Sequence, residues 1–84
     1  MTIMPNPAGE EVEVKVQTEE EGNFIITIYT IQGIKVETKE SVKTSGGKEE
    51  FIINLRIGDY PNGLYQAVLK TPSHVVSSQI VIVK

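Results

Sequence analysis

The sequence predicts an all-β protein, an immunoglobulin-like antiparallel β-sandwich of about six or seven strands, and three observations carry that prediction. Segments in which apolar and polar residues alternate recur along the chain, as strands with one dry face require. Clusters of turn-forming residues separate them at roughly the 8–12-residue spacing of a sandwich. No segment repeats its apolar residues at the helical period.

Residues 1–9 read as an entry linker and residues 10–84 as the sandwich. Pro5 and Pro7 fix their own φ angles, and Pro7 keeps Asn6 out of the helical region, so Pro5-Asn6-Pro7 brings the chain in extended and stiff. From Glu11 to Gln17, Val12, Val14 and Val16 alternate with charged and polar residues, the pattern of a half-buried strand. Glu19-Glu20-Glu21-Gly22-Asn23 interrupts it. Phe24 to Ile31 is a nearly continuous run of β-branched and aromatic residues, which reads as a strand buried on both faces. Gln32-Gly33 suits a tight hairpin, because Gly33 can take positive φ without steric cost. The return strand sets Ile34, Val36 and Thr38 against Lys35, Glu37 and Lys39, with the charged set expected on the wet face.

Ser45-Gly46-Gly47-Lys48 forms the next turn, and Glu50 to Leu55 then alternates with Phe51, Ile53 and Leu55 on one side. Gly58, Asp59, Pro61, Asn62 and Gly63 supply dense turn chemistry before a strand from Leu64 to Lys70. Pro72-Ser73-His74 closes that strand, and the last one runs from about Val76 to Val83, again reading as buried on both faces. Two doubly buried strands favour stacked sheets over a barrel.

Eighty-four residues can close one hydrophobic core and no more, and a 39 % hydrophobic share rich in Val and Ile supplies it. The formal net charge of −3 and the scattered lysines exclude the concentrated basic face of a nucleic-acid binder. No apolar run approaches the roughly 20 residues of a membrane-spanning helix, so direct membrane insertion is not expected. The N-terminus lacks the basic head and apolar stretch of a secretory signal, so the chain by itself is not expected to use the general export route. With no cysteine there is neither a disulfide framework nor a thiolate metal site.

Catalytic raw material is scarce. His74 is the sole histidine and Asp59 the sole aspartate, so a Ser-His-Asp relay would have to use both, without a supporting motif; His74 reads as a solvated loop residue. Glu19-Glu20-Glu21 could ligate calcium but lacks the spaced pattern of a dedicated loop, and reads as a solvated turn. Tyr29, Tyr60 and Tyr65 could form a sugar platform if exposed together, but Tyr29 and Tyr65 fall within strands, where packing is expected. The expectation is a domain with no enzymatic activity, no cofactor and no metal.

Four segments stand out in combination: Ile3-Met4-Pro5-Asn6-Pro7-Ala8; Ile28-Tyr29 with Gly33 and Val36; Gly63-Leu64-Tyr65; and Val81-Ile82-Val83-Lys84. Together they resemble the C-terminal sorting domain of the type IX secretion system of Bacteroidetes, across nearly the whole chain. The chain departs from the usual pattern at Thr30, where Asp or Asn is common, at Tyr60, where Leu is common, and at Ser77-Ser78, where a lysine is common.

The resemblance implies a domain that is an address and not a catalyst. It would follow a cargo domain of the same polypeptide, which enters the periplasm by its own N-terminal signal. The translocon of the outer membrane would recognise the folded domain, and a sortase-like surface protease would remove it, leaving the cargo secreted or on the cell surface. On that reading the chain is a domain of a longer exported protein. Gln79, Ile80, Val81, Ile82, Val83 and Lys84 would carry the main recognition determinant, with Gly63, Leu64 and Tyr65 positioning it. The terminal strand suits edge pairing with a receptor, and edge strands also leave room for a dimer. The rival reading is an immunoglobulin-like binding or spacer module that contacts carbohydrate or protein through its loops.

Overall fold

Seven strands build two antiparallel sheets: β1 (Thr2–Met4), β2 (Glu11–Gln17), β3 (Gly22–Thr30), β4 (Lys35–Lys43), β5 (Glu50–Arg56), β6 (Gly63–Lys70) and β7 (Val75–Ile82). The computed structural model describes residues 2–4, 10–44 and 50–83, with side chains described for 10–44 and 51–83. One sheet has the order β1-β2-β5 and the other β4-β3-β6-β7. The chain therefore crosses between sheets at β2–β3, at β4–β5 and at β5–β6, as expected for an immunoglobulin-like sandwich. No helix occurs among the described residues.

Alternation decides which side chains meet between the sheets. Val12, Val14 and Val16 from β2, with Ile53 and Leu55 from β5, face Phe24, Ile26 and Ile28 from β3, Ala67 and Leu69 from β6, and Ile80 and Ile82 from β7. Phe24 and Phe51 meet edge to face across the sandwich, with ring centroids 5.1 Å apart. Each fully buried aliphatic or aromatic side chain contributes about 1.5–3 kcal/mol, and this one core is the main source of stability.

Several expectations need correction. Residues 2–4, within the expected entry linker, form β1, which adds to the edge of β2 with Ile3 opposite Val14; Pro5-Asn6-Pro7 lies outside the described residues. β3 is fully buried on one face only: Phe24, Ile26 and Ile28 are in the core, while Ile25, Thr27 and Tyr29 are half-buried on the outer face. β7 is largely exposed, with only Ile80 and Ile82 buried, because it lies at the end of its sheet with β6 as its ladder neighbour. The two-sheet architecture thus stands, although the double burial that argued for it does not.

In β4 the faces are reversed. Register puts Glu37, Lys39 and Ser41 opposite the core residues Ile28, Ile26 and Phe24, so Glu37 and Lys39 face inward, while Lys35 pairs with the outer-face Tyr29 beyond the register shift, and Val36, Val42 and the preceding Ile34 are exposed. β4 lies at the other end of the four-stranded sheet, where the inward face opens toward the rim of β5, and long polar chains bridge that gap. Lys39 Nζ donates to the carbonyl of Asn54 at 2.5 Å, and Glu37 receives the Tyr60 hydroxyl. Inward-pointing charge on an end strand also blunts edge-to-edge association.

Candidate functional site

The site builds from the β3–β4 hairpin. Gly33 N donates to Thr30 O and Thr30 N donates to Ile34 O, each at 2.9 Å, closing a three-residue loop in which Gly33 takes φ +90°. Thr30 Oγ1 accepts from Ile34 N at 3.2 Å. This side-chain bond ties the two ends of the loop together. The loop leaves Ile31 and Ile34 exposed at its tip.

The same end of the sheet receives the start of β6 and the end of β7. In the ladder Leu64 pairs with Val81, Gln66 with Gln79, and Tyr29 with Gln66, so these side chains share the outer face. Leu64 is 37 % and Val81 39 % exposed, and Val83 beyond them 56 %. Leu64 and Val81 thus lie side by side as exposed aliphatic groups on that face. The outer face of the other sheet carries more charge, with Glu11, Glu13, Lys15 and Arg56 around the exposed Ile52 and an ion pair between Arg56 and Glu11 at 3.4 Å.

The turn before β6 fixes that end from beneath. Tyr60 N donates to Ile57 O at 3.0 Å, and Ile57 N donates to Glu10 O at 2.8 Å. Tyr65 is buried and its hydroxyl donates to Pro61 O at 2.6 Å. Its ring lies 5.6 Å from that of Tyr60, whose hydroxyl donates to Glu37 Oε2. Burial first, and then the bond to the Glu37 carboxylate and its charge, push the Tyr60 phenol above the usual tyrosine range.

At the opposite end a polar cluster joins the β2–β3 loop to the β6–β7 turn. The Glu20 carboxylate accepts from Thr71 Oγ1 at 2.8 Å, from Ser73 N at 3.0 Å, from the Ser73 hydroxyl, and contacts His74 Nδ1 at 3.1 Å. Bonds from Ser73 and Thr71 outweigh partial desolvation and draw its pKa down to about 2. Lys43, only 6 % exposed, donates to the carbonyls of Thr18 at 2.6 Å and Glu20 at 3.0 Å. Glu20 is thus a partly buried anchor and not a solvated turn residue, because the β6–β7 turn brings donors to it from 51 and more positions away. The His74 side chain is 71 % exposed, as expected of a loop residue, but it has Glu20 as a partner.

The sequence profile described as a secretion system C-terminal sorting domain matches residues 2–84. The chain belongs to that family. The sorting domain is also similar in fold to part of the crystal structure of dimeric latent PorU from Porphyromonas gingivalis, at a TM-score of 0.72 and 21 % identity. That match covers 98 % of this chain and 9 % of the PorU chain, so the sorting domain spans a small fraction of that protein. No curated protein matches it in sequence. A sorting domain of this family is the C-terminal signal that sends the polypeptide carrying it through type IX secretion to the cell surface or exterior.

Residues expected to carry recognition in the sorting domain divide by face. Leu64, Gln79, Val81 and Val83 are exposed, as is Gly63, whereas Tyr65, Ile80 and Ile82 are in the core. Tyr29 is half-buried on the outer face, and Gly33 makes the hairpin turn. Lys84, like Pro5, Asn6 and Pro7, lies outside the described residues. The sequence pattern does not mark Ile31 as a surface group and puts Ile34 and Val36 on the inner face; the signal that exposes them is the apolar pair flanking Gln32-Gly33 in an otherwise polar turn. The ring of Tyr60 packs in the core cluster, and Glu37 accepts its hydroxyl.

Proposed function

We propose that the type IX translocon reads the sorting domain on the outer face of its four-stranded sheet, around the paired Leu64 and Val81, and that a sortase-like surface protease then separates it from the upstream cargo. The observation that supports this reading is the division of the motif by face. Tyr65, Ile80 and Ile82 are committed to the core, and Leu64 and Val81 are the motif side chains left side by side on the surface. Val83 and the hairpin residues Ile31 and Ile34 extend the same apolar end. A carbohydrate-binding role is less well supported, since Tyr60 and Tyr65 are buried and leave no tyrosine platform.

The domain works, on this reading, without catalysis of its own. A serine hydrolase relay places the serine and the acid on opposite nitrogens of the imidazole. Here Nδ1 of His74 faces both Ser73 Oγ, at 3.0 Å, and Glu20 Oε2, at 3.1 Å.

Deleting Gln79 to Lys84 would remove Ile80 and Ile82 from the core and so test stability together with recognition. Leu64→Lys and Val81→Lys, alone and combined, avoid that. With the domain fused behind a reporter carrying an N-terminal export signal, the double variant is expected to keep its thermal midpoint within a few degrees while surface delivery falls at least about tenfold, the effect of losing ~1.4 kcal/mol of contact energy. Normal delivery by a folded double variant would remove this face from the recognition step.

A further inference from the structure

We infer that Glu20 is a positioning residue for sorting, the clamp that holds the start of the terminal strand β7 against the body of the sandwich. At that end β7 is held by its ladder with β6, and its side chains bury little. Val75 and Val76 are 62 % and 41 % exposed, Ser77 is exposed, and the ladder joins this stretch to β6 through Lys70, Leu69 and Val68. The turn that launches β7 is closed on itself by Thr71 N donating to His74 O at 2.9 Å and His74 N donating to Thr71 Oγ1 at 3.0 Å.

Those bonds shape the turn, but they do not attach it to anything. Attachment comes from the Glu20 carboxylate, whose two oxygens take donors from Thr71 and Ser73 and meet His74. Glu20 is itself fixed. Its amide donates to Thr18 Oγ1 at 3.1 Å, and its carbonyl accepts from the buried Lys43. Beside it, Gly22 brings the backbone so close to Pro72 that a Cβ there would stand 3.1 Å from the proline ring. A carboxylate is needed because the site asks for acceptors on both oxygens. An amide in its place offers one acceptor oxygen and turns its NH2 toward the donors that the other carboxylate oxygen received.

This inference rests on the reading that β7 forms part of the recognised surface, and its test separates the two. Glu20→Gln is compared with the parent domain by amide hydrogen exchange, and the same variant is scored for surface delivery in the reporter fusion. Exchange across Val75 to Ser78 is expected to rise at least about tenfold, the loss of one charge-assisted bond, while the core amides of β2, β3 and β5 keep their rates. Delivery is expected to fall with it. Unchanged exchange in β7, or an equal rise across all strands, would overturn the clamp. Local loosening with full delivery would overturn the sorting role, and would do so even if Leu64→Lys and Val81→Lys abolish delivery as the surface reading requires.

Discussion

The phenol of Tyr65 donates to the carbonyl of Pro61, four residues upstream, and so ties the first turn of β6 back onto the loop that leads into it. The bond closes the corner at which the chain leaves the three-stranded sheet for the four-stranded one, the arrangement known from immunoglobulin-like sandwiches as a tyrosine corner. Because Tyr65 points inward, the alternation of the strand turns Leu64 out. Two adjacent residues of one motif therefore have separate tasks, and substitutions tell them apart.

Tyr65→Phe keeps the buried ring and removes the bond to Pro61. It is expected to lower unfolding free energy by about 1 kcal/mol, read as a lower urea midpoint at unchanged slope, with reporter delivery nearly intact while the domain remains folded. Leu64→Lys is expected to do the opposite, leaving the urea midpoint within about 0.5 kcal/mol and reducing delivery. A shared signature for the two variants would mean that the motif is not divided by face.

Lys43 is the buried cation among the described residues, and its ammonium serves the carbonyls of Thr18 and Glu20. Truncation to Ala strips those acceptors of a charged donor and opens space where the stem packs, so Lys43→Ala is expected to cost about 2 kcal/mol. Lys43→Met restores the stem without the donor and is expected to recover less than half of that. Denaturant unfolding of both variants decides it, and full recovery by Met would assign the whole effect to packing.

Strand positions were legible because alternation is a local property of the chain: the shared faces of Val12, Val14 and Val16, and of Phe51, Ile53 and Leu55, follow from spacing alone. Which face goes inward is not local. Val36 in β4 and Ile34 just before it are exposed, because the register of Glu37 and Lys39 against Ile28 and Ile26 is set by the whole ladder and shifts between Ile28 and Tyr29. The reading of β7 as doubly buried failed for a related reason. Its apolar composition matches a central strand, but its place at the end of the sheet leaves Val75, Val81 and Val83 exposed. The role of Glu20 was beyond reach from sequence, since its partners at Thr71, Ser73 and His74 come together only when the β2–β3 loop and the β6–β7 turn reach the same end of the sandwich.

Tyr60 gives the domain a sensitivity to alkali. In the unfolded chain its phenol ionises near the usual value of ~10, whereas burial and the Glu37 carboxylate hold the proton on in the folded state. Above that pH the unfolded state binds fewer protons than the folded one, so stability must fall as pH rises. Tyr60→Phe is expected to cost about 1 kcal/mol near neutrality through the lost bond to Glu37, and to flatten the decline beyond pH ~10. Urea midpoints measured from neutral pH to about 11 check both parts, and parallel curves for the two proteins would clear Tyr60 of the alkaline loss.

Two glycines adopt strongly positive φ, Gly22 at +124° where β3 begins and Gly33 at +90° in the β3–β4 loop. At Gly33 a Cβ would meet no heavy atom within 4 Å, so Gly33→Ala suffers backbone strain alone, on the order of 1 kcal/mol. At Gly22 the same strain is joined by a contact of 3.1 Å with the Pro72 ring, whose position the neighbouring Glu20 bonds hold. Relief requires the β6–β7 turn to move away from the β2–β3 loop, which stretches the bonds from Thr71 and Ser73 to Glu20. Gly22→Ala is therefore expected to cost about 2–3 kcal/mol, at least twice the loss at Gly33, and to raise hydrogen exchange in the first half of β7 as well. Combining Gly22→Ala with Glu20→Gln should cost less than the sum of the two, because each disrupts the same junction. Full additivity in the double variant would mean that the glycine contact and the carboxylate clamp act on different parts of the fold.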